Sequence, residues 1–265
     1  MENLRLLGPA APEYDWVPAP RYLLRRDRIL HALKNTKPCK VLEIGCGPGM
    51  LLQELSAKGF ECHALETSDD ARALGAKMAM DANRRITFYS TAREQWDEQF
   101  SLLMAFEVLE HIEDDASAIR LWHSWLAPNG KLILSVPSHQ KRWNARDVWA
   151  GHVRRYERNQ LSNLLRSSGF EVEYIDCYGF PLANILEKLG EHRYKKHERV
   201  RGKQSVEVRD ANTAQSGIDR KADTKWYPLL RSFPGRIAIA AAMLIQRPFM
   251  NTECGNGYIL VARRQ

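Results

Sequence analysis

Along this chain, short apolar runs alternate with longer stretches whose apolar residues recur every three or four positions. The runs at 39–44, 61–65, 86–89, 100–106 and 131–136 read as buried strands. Between them, 50–58 places Leu51, Leu52 and Leu55 on one face and ends at Gly59, a glycine suited to a helix C-cap. The segments 69–80 and 114–126 carry the same helical period. After a loop over 137–156, the pattern predicts a helix at 159–168, a strand at 171–177 and a last strand at 257–262. Strand and helix in turn, with short apolar strands, predict an α/β fold: a doubly wound, mostly parallel seven-stranded sheet. An insertion precedes the last strand.

The flanks differ in pattern. Pro9, Pro12, Pro18 and Pro20, with Tyr14 and Trp16, mark an irregular arm, and 22–33 reads as an amphipathic helix with arginines between its apolar positions. The expected division is an arm and cap helix at 1–36, a core at 37–178, an insertion acting as an acceptor-binding lid at 179–255, and a returning strand at 256–265. The middle of the insertion, 191–225, is charged and poor in large apolar residues, the composition of a mobile segment or lid. Its basic residues Arg193, Lys195, Lys196, Arg199, Arg201 and Lys203 could follow a phosphate backbone, but acids are mixed among them, which favours a solvated segment. Its end holds the apolar stretch 237–245 between Arg236 and Arg247. That stretch suits core packing, the wall of a pocket for an apolar substrate, or contact with a membrane surface.

Composition narrows the classes. A chain of 265 residues, 44% hydrophobic and 27% charged, can bury a full core. The net charge of +7 permits an anionic partner without requiring one. Five cysteines in no paired short spacing speak against a disulfide framework or a cysteine zinc site and suit a reducing compartment. No signal pattern opens the chain, and no apolar run reaches the ~20 residues of a transmembrane segment. The expected location is the cytoplasm.

Candidate chemistry begins at Val41-Leu42-Glu43-Ile44-Gly45-Cys46-Gly47-Pro48-Gly49, at a strand-to-helix turn. Glycines there let the backbone turn sharply and approach a ligand. Further on, Glu66 ends the second strand, where an acid can bind two ribose hydroxyls. Loop, strand, helix, strand and acid in this order describe a site for an adenosine-containing ligand. The glycines are spaced G-x-G-x-G rather than the dinucleotide-type G-x-G-x-x-G. This loop resembles the first motif of the class I S-adenosylmethionine-dependent methyltransferases, which have a Rossmann-like fold. The resemblance extends over most of 39–179, including Leu126-Ala127-Pro128-Asn129-Gly130-Lys131 and Ser167-Ser168-Gly169-Phe170. It implies that S-adenosyl-L-methionine is the cofactor, with Glu43, Gly45, Gly47 and Gly49 at its methionine part and Glu66 on its ribose. Family members usually carry an acid after the third strand for the adenine amine. Here Ser90-Thr91-Ala92-Arg93 stands instead, so Thr91 and Ala92 must serve by hydroxyl or backbone, with Phe106 completing the set.

Two further clusters bear on the reaction. Glu107-Val108-Leu109-Glu110-His111 follows the fourth strand at its carboxyl end. Glu107, Glu110 and His111 offer oxygen and nitrogen ligands for Mg²⁺ or another divalent cation, which could hold vicinal hydroxyls of an acceptor. The cluster resembles the Glu-x-x-Glu-His of quinone-biosynthesis O-methyltransferases and of small-RNA 2′-O-methyltransferases; it also occurs in metal-free members. The second cluster, Gly151-His152-Val153-Arg154-Arg155-Tyr156, is similar to a motif of a large group of bacterial methyltransferases. His152 could be a general base or complete a metal site with His111. Tyr156 and the arginines could orient an acceptor, or His152 and Arg155 could simply fix the loop. In the arm, Arg21 or Tyr22 could meet the methionine carboxylate. The catalytic candidates are therefore His111, His152 and Tyr156. The expected reaction is methyl transfer to a small-molecule acceptor, apolar or aromatic, at oxygen. An RNA 2′-O-methyltransferase, or a non-catalytic protein keeping only the fold, are the alternatives.

Overall fold

The computed structural model describes residues 2–201 and 220–265. Strands β1 (Glu2–Leu4) and β2 (Gly8–Ala10) form a hairpin ahead of helix α1 (Pro20–Ala32). The main sheet contains β3 (Lys40–Ile44), β4 (Glu61–Leu65), β5 (Ile86–Tyr89), β6 (Phe100–Phe106), β7 (Leu126–Pro137), β8 (Phe170–Tyr178) and β9 (Gly257–Arg264). Their order is β5-β4-β3-β6-β7-β9-β8. β3, β4, β5, β6 and β7 pair in parallel, while β9 runs antiparallel to both β7 and β8. This is the expected mostly parallel, seven-stranded Rossmann-like sheet, closed by the strand after the insertion.

The strand period of two assigns the core. In β3, Val41 joins the cluster on one face and Leu42 the cluster on the other; in β6, Leu102 and Met104 oppose Leu103 and Ala105. One face is covered by α2 (Met50–Ser56) through Leu51, Leu52 and Leu55. The opposite face is covered by α4 (Asp115–Trp125) and α6 (Arg158–Ser167), through Trp122, Trp125, Leu161 and Leu165. Helix α3 (Asp69–Asp81) starts where Ser68 Oγ caps the Ala71 N–H, with Asp69 and Asp70 in its first turn, as an N-terminus prefers.

Three regions depart from the sequence pattern. The arm is ordered: Leu7 and Val17 are buried against Leu23 and Leu24 of α1, so hydrophobic burial overrides its prolines. The loop over 137–156 contains a helix, α5 (Ala145–Ala150). The insertion begins with α7 (Leu182–Arg201) and returns through α8 (Lys221–Thr224), α9 (Tyr227–Arg231) and α10 (Phe233–Gln246). Ile239 and Met243 of α10 are buried with α1, whereas Ile237, Leu244 and Ile245 on its other side are exposed. Gln246 locks this packing: its Oε1 accepts from the Gly179 N–H at 3.1 Å and its Nε2 donates to Leu24 O at 3.2 Å. Of the mobile segment expected over 191–225, the part up to Arg201 belongs to α7, and 202–219 lie outside the described residues, as do the side chains of the basic run from Arg193 to Lys203. No helix among the described residues is long and apolar enough to cross a membrane.

Helix α1 lies near the carboxyl ends of the central strands with its arginines turned inward. Arg21, Arg25 and Arg28 recur at i, i+4 and i+7 and so share a face. Arg28 meets Asp176 of β8 at 2.9 Å, and the neighbouring Arg26 grips Glu54 of α2 through Nε and Nη2 at 3.0 and 2.7 Å.

Candidate active site

β3 ends at Ile44 and the chain turns through Gly45, Gly47 and Gly49, all in the left-handed region at φ 61°, 55° and 68°. A larger residue would be strained at Gly45, where an added Cβ would lie 2.5 Å from Val108 Cγ2. The turn sets the loop beside Glu66, which follows β4. Glu66 Oε2 accepts from the Gly47 N–H at 2.8 Å and Oε1 from the Ser68 N–H at 2.9 Å. A carboxylate offers about four lone-pair sites, so both oxygens keep capacity for a diol.

Beneath this loop, Glu43 is buried and its Oε2 has no hydrogen-bond partner. Burial is the largest influence on its carboxyl; Arg25 opposes it and Glu66 adds to it, and the result is pushed up to about 8. A buried unpaired acid of this kind fits the cationic ammonium of S-adenosylmethionine. Phe106 is buried at the end of β6, and Thr91 and Ala92 lie exposed beyond β5.

The second cluster divides in two. Glu107, at φ 58°, turns to α1: Arg25 Nη1 lies 3.3 Å from its Oε1 and Arg21 Nη2 3.6 Å from its Oε2. Ser135 Oγ and Tyr178 Oη donate to it at 3.2 and 3.3 Å. Burial raises its carboxyl, but Arg25 and Arg21 outweigh that and hold it below the usual range. Two guanidiniums and two hydroxyls satisfy Glu107, which places it outside the grouping expected to hold a cation. Arg21 is likewise engaged with Glu107, and Tyr22 is partly buried edge-on to Trp16 at 5.5 Å.

The ligand atoms of Glu110, His111 and His152, by contrast, all lie within 4.8 Å of one another. Glu110 is completely buried and neither of its oxygens has a hydrogen-bond partner. Burial, and then the charge of Glu107, push its carboxyl well above the ordinary range. The His111 and His152 rings are perpendicular with centroids 4.8 Å apart, and His152 Nε2 is 3.8 Å from Glu110 Oε1. A backbone bond from Val153 N to Glu110 O at 2.8 Å joins the two segments.

What orients His152 is a residue that the sequence pattern did not single out. Asp147 Oδ1 lies 2.8 Å from His152 Nδ1, leaving Nε2 toward the cluster. Arg155 clamps the same carboxylate, Nε to Oδ1 at 2.9 Å and Nη2 to Oδ2 at 2.7 Å, and reaches Glu187 of α7 at 2.6 Å. Burial raises the Asp147 carboxyl, but the hydrogen bonds from His152 and Arg155 prevail and bring it to about 2. Asp147 also closes the capping box of α5 with Asn144. The spacing Asn144-x-x-Asp147, five residues ahead of His152, was a readable signal; Glu187 offered none.

Arg154, Arg155 and Tyr156 all find partners within the protein. Tyr156 is completely buried and its hydroxyl donates to Asp115 Oδ2 at 2.8 Å; burial and that bond push the phenol far up. Arg154 pairs with the same Asp115.

A family model described as a methyltransferase domain matches residues 19–175, more than half of the chain. The chain belongs to that family and is a class I S-adenosylmethionine-dependent methyltransferase. The chain is similar to a ubiquinone biosynthesis O-methyltransferase of Pseudomonas aeruginosa, 30% identical over 101 residues, which are 37% of this chain and 44% of that one. A protein of the same description from Bradyrhizobium diazoefficiens is 30% identical over 138 residues, 51% and 53% of the two chains. The matches thus span about half the length of these relatives. Among solved structures, an S-adenosylmethionine-dependent methyltransferase from Mesorhizobium loti aligns with TM-score 0.55 at 15% identity, covering 93% of this chain and 98% of that one. Phosphoethanolamine N-methyltransferase 2 of Haemonchus contortus, in complex with S-adenosyl-L-methionine, aligns at 0.54 with 12% identity, over 91% and 52%. At these identities the two structures share the fold with this methyltransferase.

Proposed function

We propose that this methyltransferase transfers a methyl group to an oxygen of a small apolar or aromatic acceptor bearing vicinal hydroxyls, with a divalent cation held by Glu110, His111 and His152. The observation that carries the reading is the grouping of those three residues around a buried Glu110 carboxylate that has no hydrogen-bond partner. A buried acid in that state is costly unless a cation compensates it. Asp147 on His152 Nδ1 supplies the carboxylate partner that metal-ligating histidines commonly have. The description of the Pseudomonas and Bradyrhizobium relatives as O-methyltransferases points to the same acceptor atom. An apolar groove of about 490 Å³ between α7, α9 and α10, reaching Pro20 beside Arg21, would take the apolar part of the acceptor.

S-adenosylmethionine supplies an electrophilic methyl group on a cationic sulfur that leaves readily. The glycine loop, Glu43 and Glu66 hold its methionine and ribose parts. The acceptor oxygen forms the new O–C bond in line with the departing sulfur, which keeps the electron pair of the broken C–S bond. The chain's work is positioning and removal of the hydroxyl proton. A bound divalent cation would acidify that hydroxyl. A second, metal-free reading rests on the Asp147–His152 bond: His152, oriented by Asp147, takes the proton at Nε2. Transfer of labelled methyl from S-adenosylmethionine to an alkylated catechol separates the two. The metal-assisted reading predicts loss of turnover with EDTA and in Glu110→Ala, restored by Mg²⁺ in the wild type alone. Turnover unchanged by both treatments leaves the histidine-base reading.

A further inference from the structure

A second set of ligating side chains stands apart from the Glu110 cluster and shares no residue with it. His139 Nε2 lies 4.0 Å from Cys177 Sγ and 3.7 Å from Glu253 Oε2, and the three ligand atoms fall within 4.8 Å of one another. We propose that His139, Cys177 and Glu253 form a binding site for a zinc-class divalent cation that fastens the His152 loop to the end of the insertion.

The chemistry of the set fits this ion. One imidazole nitrogen, one sulfur and one carboxylate oxygen are the donor types that zinc accepts, and three protein ligands leave a fourth position open. Bonds of ordinary length in a tetrahedron would hold nitrogen and sulfur about 3.6 Å apart, and nitrogen and oxygen about 3.4 Å. The two separations from His139 Nε2 need to close by only a few tenths of an ångström. The other nitrogen of His139, Nδ1, faces Glu157 Oε2 at 3.2 Å, which directs Nε2 to the ion as a carboxylate beyond a metal-bound histidine does.

His139 and Cys177 are buried, and the half-exposed Glu253 carboxylate opens the set to solvent. His139 adopts φ 64°, in the left-handed region, without being a glycine. Arg158 Nε binds the opposite oxygen, Oε1, of Glu253 at 2.5 Å and can remain there. Tyr258 donates its hydroxyl to Oε2 and would turn to the open position or to water. Binding converts the Cys177 thiol to a thiolate, with its proton released to solvent.

Three chain segments meet at this point. His139 begins the loop that carries Asp147 and His152, Cys177 belongs to β8, and Glu253 lies four residues ahead of β9, where the insertion ends. A bound ion would hold the acceptor-side loop and the returning insertion at fixed spacing.

The full chain, stripped with chelator and titrated with Co²⁺, tests the site by a signal that only a sulfur ligand produces. The expected result is a saturable near-ultraviolet thiolate-to-cobalt band accompanied by tetrahedral visible absorption. The band should vanish in Cys177→Ser and His139→Ala but persist in His152→Ala and Glu110→Gln, which touch only the other cluster. Glu253→Gln, a change at a half-exposed side chain that should not threaten folding, should weaken Co²⁺ binding about tenfold or more. Absence of the band in the wild type, its survival in Cys177→Ser, or unchanged affinity in Glu253→Gln would each overturn the proposal.

Discussion

The glycine loop follows β3 and the His152 loop follows β7, with β6 between these two strands, yet they are built in opposite ways. The first is a backbone device: three left-handed glycines within five residues, with Glu66 bonded to one of their N–H groups. The second is a side-chain device, in which His152 depends on Asp147, Asp147 on Arg155, and Arg155 on Glu187 in another part of the chain. A backbone device is specified by a short stretch of sequence, whereas a side-chain relay is specified by the fold. The glycine loop should therefore fail all at once when one residue changes, and the relay should fail in degrees.

The sharpest break is Gly45→Val. Left-handed strain on a β-branched residue, together with a Cβ 2.5 Å from Val108 Cγ2, should cost about 2–6 kcal/mol locally. S-adenosylmethionine affinity measured by calorimetry should fall by about a hundredfold or more. Affinity within threefold of the wild type would show that the loop does not underlie the cofactor.

This contrast also accounts for what could be read in advance. The sheet, its mostly parallel order and the glycine loop follow from periodicity and local spacing, because strand alternation and left-handed turns leave direct marks in sequence. The insertion before the last strand was visible as a break in the strand-helix rhythm. The inward turn of Arg21 and Arg25 was not, since Glu107, which they meet, is some eighty residues on and an arginine among apolar residues reads equally as a solvated face. Glu107 resembled a metal ligand for the same reason: only the fold shows that α1 neutralises it while the Glu110 oxygens have no hydrogen-bond partner. Tyr156 is a motif residue that the fold buries against Asp115, which a motif alone does not reveal.

A smaller effect sharpens the cofactor side. Burial holds Glu43 near pKa 8 against an ordinary value of 4.5, so the free protein binds a proton there that the unfolded chain has lost. Stability from this group is full below about pH 4.5 and declines as pH rises through 8. The cofactor ammonium favours the ionised form. Binding should release up to one proton near pH 7, and affinity should strengthen by up to about tenfold per pH unit as pH 8 is approached. Calorimetry in buffers of different ionisation enthalpy measures the proton, and Glu43→Gln should abolish both effects. Equal proton release in Glu43→Gln would assign the titration to another group.

The independence of the two devices is tested most directly by His152→Ala, with labelled methyl transfer to an alkylated catechol followed at saturating S-adenosylmethionine. The expected result is turnover lowered by about 10²–10⁴-fold while cofactor affinity stays within about twofold of the wild type. Turnover left intact, or cofactor binding lost together with it, would contradict the division of the site into a backbone half that holds the cofactor and a side-chain half that carries the chemistry.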